Sequence, residues 1–339
     1  METINRRQFL EAAALAGAGI TLSPVAARGR ESIAPKTFDK QSSFIDMHTH
    51  TYRVRPPSGE FCTPDELIAR YDKMGVEKAV ILPIVSPEIY FPQAVEDIIE
   101  ICEKYPDRFI PYCNIDPRCL TNSPRAPLGK IIRYYKQLGC KGIGEVMPNL
   151  QLLDPLVQNL FACAEDEDMP IVYDGSVQHY GDFGLYDDPG LPQLEFTLQQ
   201  FPKLKIFGHG PVFWFEIAKL ETVGERTIYW GWRGEQCWHF PQTKVKEEGT
   251  VPKLFRKYPN LYGDLSDFTA HNAFARDDEY GPKFMTEFQD RLFFGTDMLS
   301  PDMPVPMVDL LVSWRDQKKI SEEVFRKVAR ENAIKFLGL

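Results

Sequence analysis

From residue 43 to the C-terminus the chain repeats one pattern, a short and nearly continuous apolar run followed by an amphipathic stretch. The runs are Phe44–Met47, Ala79–Pro83, Phe109–Asn114, Gly142–Val146, Ile171–Tyr173, Lys205–Gly208, Leu261–Leu265 and Leu292–Gly295. Runs this short and apolar suit strands buried on both faces, the condition of a parallel sheet covered by helices. The intervening stretches fit those helices. Thr63-Pro64-Asp65-Glu66 is a capped helix start and Gly75 its stop. Val95–Glu103, Lys130–Leu138, Leu156–Ala164, Leu191–Gln200 and Lys283–Phe288 fill later crossovers, and Ser321–Phe336 closes the chain. Eight strand–helix units is the number that closes a barrel. The pattern therefore predicts an α/β chain folded as a (β/α)8 TIM barrel, one domain over residues 43–339. The rival is an open doubly wound sheet, but no dinucleotide-binding glycine fingerprint follows the first run. Residues 222–250 form an aromatic-rich insertion after strand six, with Trp230, Trp232, Trp238 and His239. Packing is the expected role of these tryptophans, over the barrel top or against a second copy in a homo-oligomer.

Residues 1–27 read as an export signal and stand outside the fold. Arg6-Arg7-Gln8-Phe9-Leu10 precedes the apolar run Ala12–Leu22 and the small-residue site Val25-Ala26-Ala27, which is the twin-arginine pattern. That run is about half of the ~20 residues needed to span a bilayer, so no stable membrane anchor is expected. The expected organisation is a signal peptide over 1–27, a linker over 28–42 and the barrel over 43–339, with the mature protein in the periplasm. A net charge of −9 offers no basic excess to meet phosphates, which argues against a nucleic-acid or anionic-membrane partner; the partner expected of a barrel site is a small-molecule substrate. None of the seven cysteines falls in a CxxC pair, and spacing alone cannot choose partners for a disulfide.

Polar residues collect at the C-terminal ends of the predicted strands, where barrel enzymes place their sites. Strand one ends in Asp46-Met47-His48-Thr49-His50, strand four in Glu145, strand five in Asp174, strand six in His209, and strand eight in Asp297. Two His at i and i+2 of a strand point to one side, so both imidazoles can reach a single cation. One strand-end His or Asp is commonly a hydrogen-bonded structural group. Several at one level of a barrel would be costly to bury without a cation.

His48-Thr49-His50, Phe207-Gly208-His209-Gly210 and Gly295-Thr296-Asp297, in this order, resemble the amidohydrolase superfamily. More closely, they resemble its amidohydrolase-2 branch, which also holds enzymes of the aminocarboxymuconate-semialdehyde decarboxylase type. The resemblance runs from about residue 43 to the end and includes Asp187-Asp188-Pro189-Gly190-Leu191 and Tyr258-Pro259-Asn260-Leu261. It implies a divalent metal, zinc first, on His48 and His50. It makes Asp297 a further ligand or the base beside the metal, and His209 the group that polarises substrate or moves a proton. The branch usually carries His at the end of strand five, where this chain has Asp174. With Glu145, that oxygen donor makes the set harder and brings manganese or magnesium into consideration beside zinc.

Arg53 and Arg55 follow strand one and are candidates for bidentate binding of a substrate carboxylate. Asp264 and Asp267 flank the end of strand seven, with His271 following; helix capping is the expected role of either Asp, with lining of the pocket by one of the three as the alternative, and His179 is a loop residue that could substitute at the strand-five position. No nucleophile elbow and no phosphate-binding glycine loop occurs. Three functions fit these residues. One is a metal-dependent hydrolase of an ester, lactone or amide, and another a metal-dependent decarboxylase of an unsaturated or aromatic acid. The third is a barrel that has lost its metal and its catalysis.

Overall fold

The eight apolar runs all form strands in the computed structural model, joined side by side as parallel neighbours. They are β1 (Phe44–Thr49), β2 (Val76–Ile81), β3 (Phe109–Pro111), β4 (Ile143–Val146), β5 (Ile171–Ser176), β6 (Ile206–His209), β7 (Leu261–Asp264) and β8 (Leu292–Phe293). The structure describes residue 39, residues 42–56, 61–89, 93–222 and 240–339, and the backbone of Ile228–Trp230 and Gln236–Trp238. The proposed signal over 1–27 and the side chains of Trp230, Trp232, Trp238 and His239 lie outside the described residues. Ile228–Trp230 and Gln236–Trp238 pair antiparallel within the insertion after β6.

Pairing runs β1–β2–β3 in one sheet and β4–β5–β6–β7–β8 in another. Two seams join them. Between β3 and β4, Cys113 N donates to Gly142 O at 3.0 Å and Gly144 N to Cys113 O at 2.8 Å. Between β8 and β1, Met47 N donates to Phe294 O at 2.9 Å, and the bridge Thr49–Met298 extends the pairing. The ring is thus closed in sequence order, giving a (β/α)8 fold. Closure leaves none of these eight strands at an open sheet edge.

Alternation along the strands divides the apolar residues into two sets. Ile45, Met47, Val172, Phe207 and Phe293 pack together inside the ring, with Tyr262 and Phe336 against them. Phe44, Ile143, Ile171, Ile206, Leu261 and Leu292 face outward into the larger core beneath the helices. The helices are α1 (Pro64–Met74), α2 (Val95–Lys104), α3 (Leu128–Gln137), α4 (Pro155–Asp166), α5 (Pro192–Gln200), α6 (Thr250–Lys257), α7 (Asp267–Ala275), α8 (Tyr280–Glu287) and α9 (Pro306–Asp316). At the start of α1 the Glu66 carboxylate accepts from Thr63 N at 2.9 Å, and Gly75, at φ 78°, ends it, as the sequence predicts. The closing region is helical as expected, with a π-helical turn inside it. Glu322–Arg326 and Asn332–Leu337 flank a π-helical turn at Lys327–Glu331, whose Val328 carbonyl accepts from Phe294 N at 3.0 Å. The six described cysteines are free thiols, and no described helix is long and apolar enough to cross a membrane.

Two strands break the alternation, and both breaks matter for the site. Asp46 faces outward and accepts from Tyr71 Oη of α1 at 2.5 Å, so strict alternation would send His48 outward as well. The register with β2 shifts between Asp46 and Thr49, and His48 faces the interior. Ile143 and Val146 both belong to the outer core, the register with β5 shifts between them, and Glu145 turns inward. Irregularities of this kind re-aim side chains next to functional sites.

The seam between β3 and β4 is tightly filled. A Cβ added at Gly142 would stand 2.3 Å from the ring of the fully buried Tyr112. Gly142→Ala is therefore expected to cost about 1–3 kcal/mol of stability through overpacking, read as a lower urea midpoint with an unchanged slope. An unchanged midpoint would mean that the ring can shift freely.

Candidate metal centre

Just above the apolar filling of the ring lies a layer of titratable groups. Regular alternation carries Asp174 inward after Val172, His209 after Phe207, and Asp264 after Tyr262. The two register shifts add His48 and Glu145. His50 follows β1, and Asp297 sits just beyond β8 in the left-handed region at φ 51°. One donor atom from each of His48, His50, Glu145 and Asp297 lies within 4.8 Å of the others. The two Nε2 atoms are 3.2 Å apart. Glu145 Oε2 is 3.4 Å from both, and Asp297 Oδ1 is 3.1 Å from His50 Nε2 and 3.6 Å from His48 Nε2.

The outer partners of the two imidazoles fix what these atoms can be. His50 Nδ1 lies 2.8 Å from the Leu82 carbonyl, an acceptor only, so Nδ1 carries the proton. His48 Nδ1 lies 2.6 Å from Asp264 Oδ2 and likewise donates. Asp264 is held in turn by Ser266 N, which donates to Oδ1 at 2.9 Å. In the neutral rings both Nε2 lone pairs then face two carboxylates, so acceptor meets acceptor and positive charge must fill the space. Burial opposes charge on His50, yet Asp297 and Glu145 raise its pKa to about 9. Burial likewise opposes charge on His48, and Asp264 and Glu145 outweigh it and raise its pKa. The same pairing holds Glu145 well below the ordinary carboxylate range despite its burial. Two imidazoles with locked tautomers and two carboxylates are a donor set that fits a divalent cation, and outer-shell carboxylates of this kind orient such ligands.

Asp174 and His209 stand beside this set. They form a second group with Glu145, again within 4.8 Å. His209 Nδ1 pairs with Ser266 Oγ at 3.0 Å, and Nε2 points to Glu145 Oε1 at 3.4 Å and Asp297 Oδ2 at 4.0 Å. Asp174 does not join the group of His48, His50 and Asp297. Burial and the nearby carboxylates of Glu145, Asp182, Asp297 and Asp267 push its pKa well up. The layer opens into a cavity of about 370 Å³, which His50, Glu145, Asp174, His209 and Asp297 line together. Its walls are largely apolar, with Phe61, Ile84, Met147, Phe268, Leu299 and Met303 among them.

The arginines expected to bind substrate are placed elsewhere. Arg53 is 59% exposed and paired with Asp97 at 3.0 Å and Glu100 at 3.2 Å. Arg55 is held by Glu66 at 2.6 Å on the flank of α1, and neither lines the cavity. These ion pairs engage both guanidinium groups outside the lining of the cavity. His179 stays in its loop, its ring 3.9 Å from that of Tyr180 and stacked toward Tyr186. Asp264 is the group whose role was missed, since it orients His48. An inward strand-end carboxylate was the available signal, and the capping expectation obscured it. Asp267 does both things: it accepts from Phe268 N at 2.5 Å at the start of α7, and it lines the cavity.

Removing the orienting carboxylate tests the donor set. Asp264→Asn is expected to weaken divalent-metal affinity about 10–100-fold, measured by competition with a chromophoric chelator. Unchanged affinity would show that His48 needs no outer partner.

Comparison with known proteins places this geometry. The sequence model of the Amidohydrolase family matches residues 45–339. No curated protein matches the chain. Among solved structures, an uncharacterized TIM-barrel protein from Bordetella bronchiseptica is 16% identical, with 87% of this chain and 98% of that one covered and a TM-score of 0.55. A probable 2-pyrone-4,6-dicarboxylic acid hydrolase from Acinetobacter baumannii, with citric acid bound, is 12% identical, covering 88% and 100%, at a TM-score of 0.53. A 5-carboxyvanillate decarboxylase from Novosphingobium aromaticivorans, complexed with manganese and 4-hydroxy-3-methoxy-5-nitrobenzoic acid, is 15% identical, covering 89% and 97%, at 0.55. These likenesses carry the barrel fold, while the family match spans every strand-end donor from His48 to Asp297, and the chain belongs to the Amidohydrolase family.

Proposed function

We propose that this protein is a metal-dependent hydrolase of a small ester, lactone or amide, with the metal held by His48, His50, Glu145 and Asp297. The observation that carries this is the meeting of two Nε2 atoms, on rings whose Nδ1 atoms donate outward, with two carboxylates on the floor of an apolar-walled cavity. A divalent cation there would polarise the substrate carbonyl and make water acidic enough to supply the nucleophile near neutral pH. Asp297, beside both imidazoles and open to the cavity, is placed to take the proton of the attacking water and return it to the leaving group. His209, steadied through Nδ1 by Ser266, presents Nε2 to the same space and would donate to the developing oxyanion. The apolar wall excludes bulk water, which strengthens each of these interactions. Two imidazoles with two carboxylates favour zinc or manganese over magnesium, and the manganese in the decarboxylase of similar fold is consistent with that.

Solved structures of this fold include both a decarboxylase and a hydrolase. Hydrolysis is favoured here because no Lys or Arg is among the described residues lining the cavity, which leaves only His209 and a metal to grip the carboxylate that a decarboxylase must bind. The test is a panel of neutral aryl esters and lactones set against aromatic acids, with metal content measured in parallel. About one zinc or manganese per chain is expected, with hydrolysis lost on chelation and restored by metal. Asp297→Asn should lower kcat by about 10²–10⁴. Carbon dioxide release from the acids without ester turnover would assign decarboxylation instead. A chain that takes up no metal would return the barrel to the non-catalytic alternative.

Export is proposed on Arg6-Arg7 and the short run Ala12–Leu22. Cell fractionation should find the mature chain in the periplasm, beginning at Arg28, and Arg6→Lys/Arg7→Lys should hold the precursor in the cytoplasm. Periplasmic accumulation of the double variant would remove the twin-arginine assignment.

A further inference from the structure

The metal set uses two of the cavity's carboxylates, and three more remain. Asp174, Asp182 and Asp267 line the same space, and both Asp182 and Asp267 act on Asp174 by charge. Asp174 is 95% buried by its 5% exposure, faces the cavity, and receives no hydrogen bond from any described residue. A buried carboxyl without a donor is a group with a missing partner. The other two have donors of their own. Ser176 Oγ donates to Asp182 Oδ2 at 2.8 Å, and Thr269 Oγ1 to Asp267 Oδ2 at 2.9 Å. Asp267 holds a left-handed backbone conformation, φ 67°, while it does so. Next to each in sequence is an aromatic residue that also lines the cavity, Phe183 and Phe268. Carboxylates beside aromatic rings, with no Lys or Arg among the described lining, form a surface complementary to an organic cation.

We propose that Asp174, Asp182 and Asp267 bind the protonated amine of an apolar substrate whose hydrolysable bond lies toward His50 and Asp297. The substrate class is then an amine-bearing aryl or alkyl ester or amide. A carboxylic acid would meet these groups as like charge and is excluded. This deepens the hydrolase reading and rests on it for where the reacting end lies, but recognition of the amine stands on the cavity's own charge.

Binding of an unreactive probe separates the two. Metal-loaded protein is titrated calorimetrically at pH 7 with benzylammonium, benzyl alcohol and benzoate, and no turnover is read. Benzylammonium is expected to bind at least about tenfold tighter than benzyl alcohol, with benzoate weakest. Asp182→Asn and Asp267→Asn should each remove most of that preference while keeping the metal content and thermal midpoint of the wild type. Equal binding of the three probes to the wild-type protein would overturn the proposal whatever the variants do. So would a preference that survives both variants. Displacement of benzylammonium by a second equivalent of zinc or manganese would assign the acidic wall to a metal and overturn it too. Failure of the ester panel with an intact benzylammonium preference would sink the hydrolase reading alone.

Discussion

At the top of this barrel acceptor is set against acceptor, and the rest of the site follows from that. His48 Nε2 and His50 Nε2 are 3.2 Å apart with Glu145 and Asp297 against them. Each ring has given its proton outward, to Asp264 and to the Leu82 carbonyl. Such a cluster is stable only with positive charge inside it. Protons can supply that charge, and the raised pKa values of both imidazoles show how strongly they are drawn in. A divalent cation supplies it with all four donors used together, which protons cannot do.

The scaffold holds these groups against mutual repulsion by making each depend on a different element. His48 comes from β1, Glu145 from β4, His209 from β6, Asp264 from β7, and Asp297 from the segment after β8. None can withdraw without distorting a closed ring, and beneath them Phe207, Tyr262, Phe293 and Phe336 fill the interior with stacked and edge-on rings. Behind β1 a buried network ties the seam. Asp46 accepts from His48 N, Thr296 N, Thr296 Oγ1 and Tyr71 Oη, so one carboxylate couples the ligand strand, the segment leading to Asp297 and helix α1. The local cost of burying Asp46 is offset by four donors, and the result is that His48 and Asp297 are positioned together.

Much of this could be read in the chain, because the apolar runs are a direct imprint of strands buried on both faces. All eight were legible, as were His48, His50, Glu145, His209 and Asp297 at their ends. What could not be read has a physical reason in each case. His48 and Glu145 face inward through register shifts, which depend on pairing between strands and leave no mark in a single run. Arg53 and Arg55 lie near the ligand strand in sequence, but Asp97, Glu100 and Glu66 compete for them on the surface. Helix α7 follows β7 so closely that capping is the first expectation for Asp264 and Asp267, whereas Asp264 accepts from His48 Nδ1 and Asp267 both caps the helix and lines the cavity. The π-helical turn within the closing helical region leaves no mark in the sequence pattern, and its Val328 carbonyl meets Phe294 N only in the folded ring.

The exchange at the end of β5 bears most on whether this is a working or a decayed site. A carboxyl that merely replaced an imidazole would sit in space shaped for a ring, with its surroundings unchanged. Here the surroundings match the carboxyl. A Cβ at Gly210 would stand 2.0 Å from Asp174 Oδ1, and one at Gly184 2.9 Å from Oδ2, so both oxygens occupy space that glycine leaves open. Both glycines also lie at positive φ, 79° and 95°, where a side chain would be strained in any case. Asp182 and Asp267 then add charge of the same sign nearby and keep donors of their own. Drift after loss of function tends to relieve buried repulsion, since each unpaired carboxyl costs stability. A cavity that keeps five carboxylates facing one another, with room made for the least compensated of them, has the electrostatic form of a site that works with positive charge.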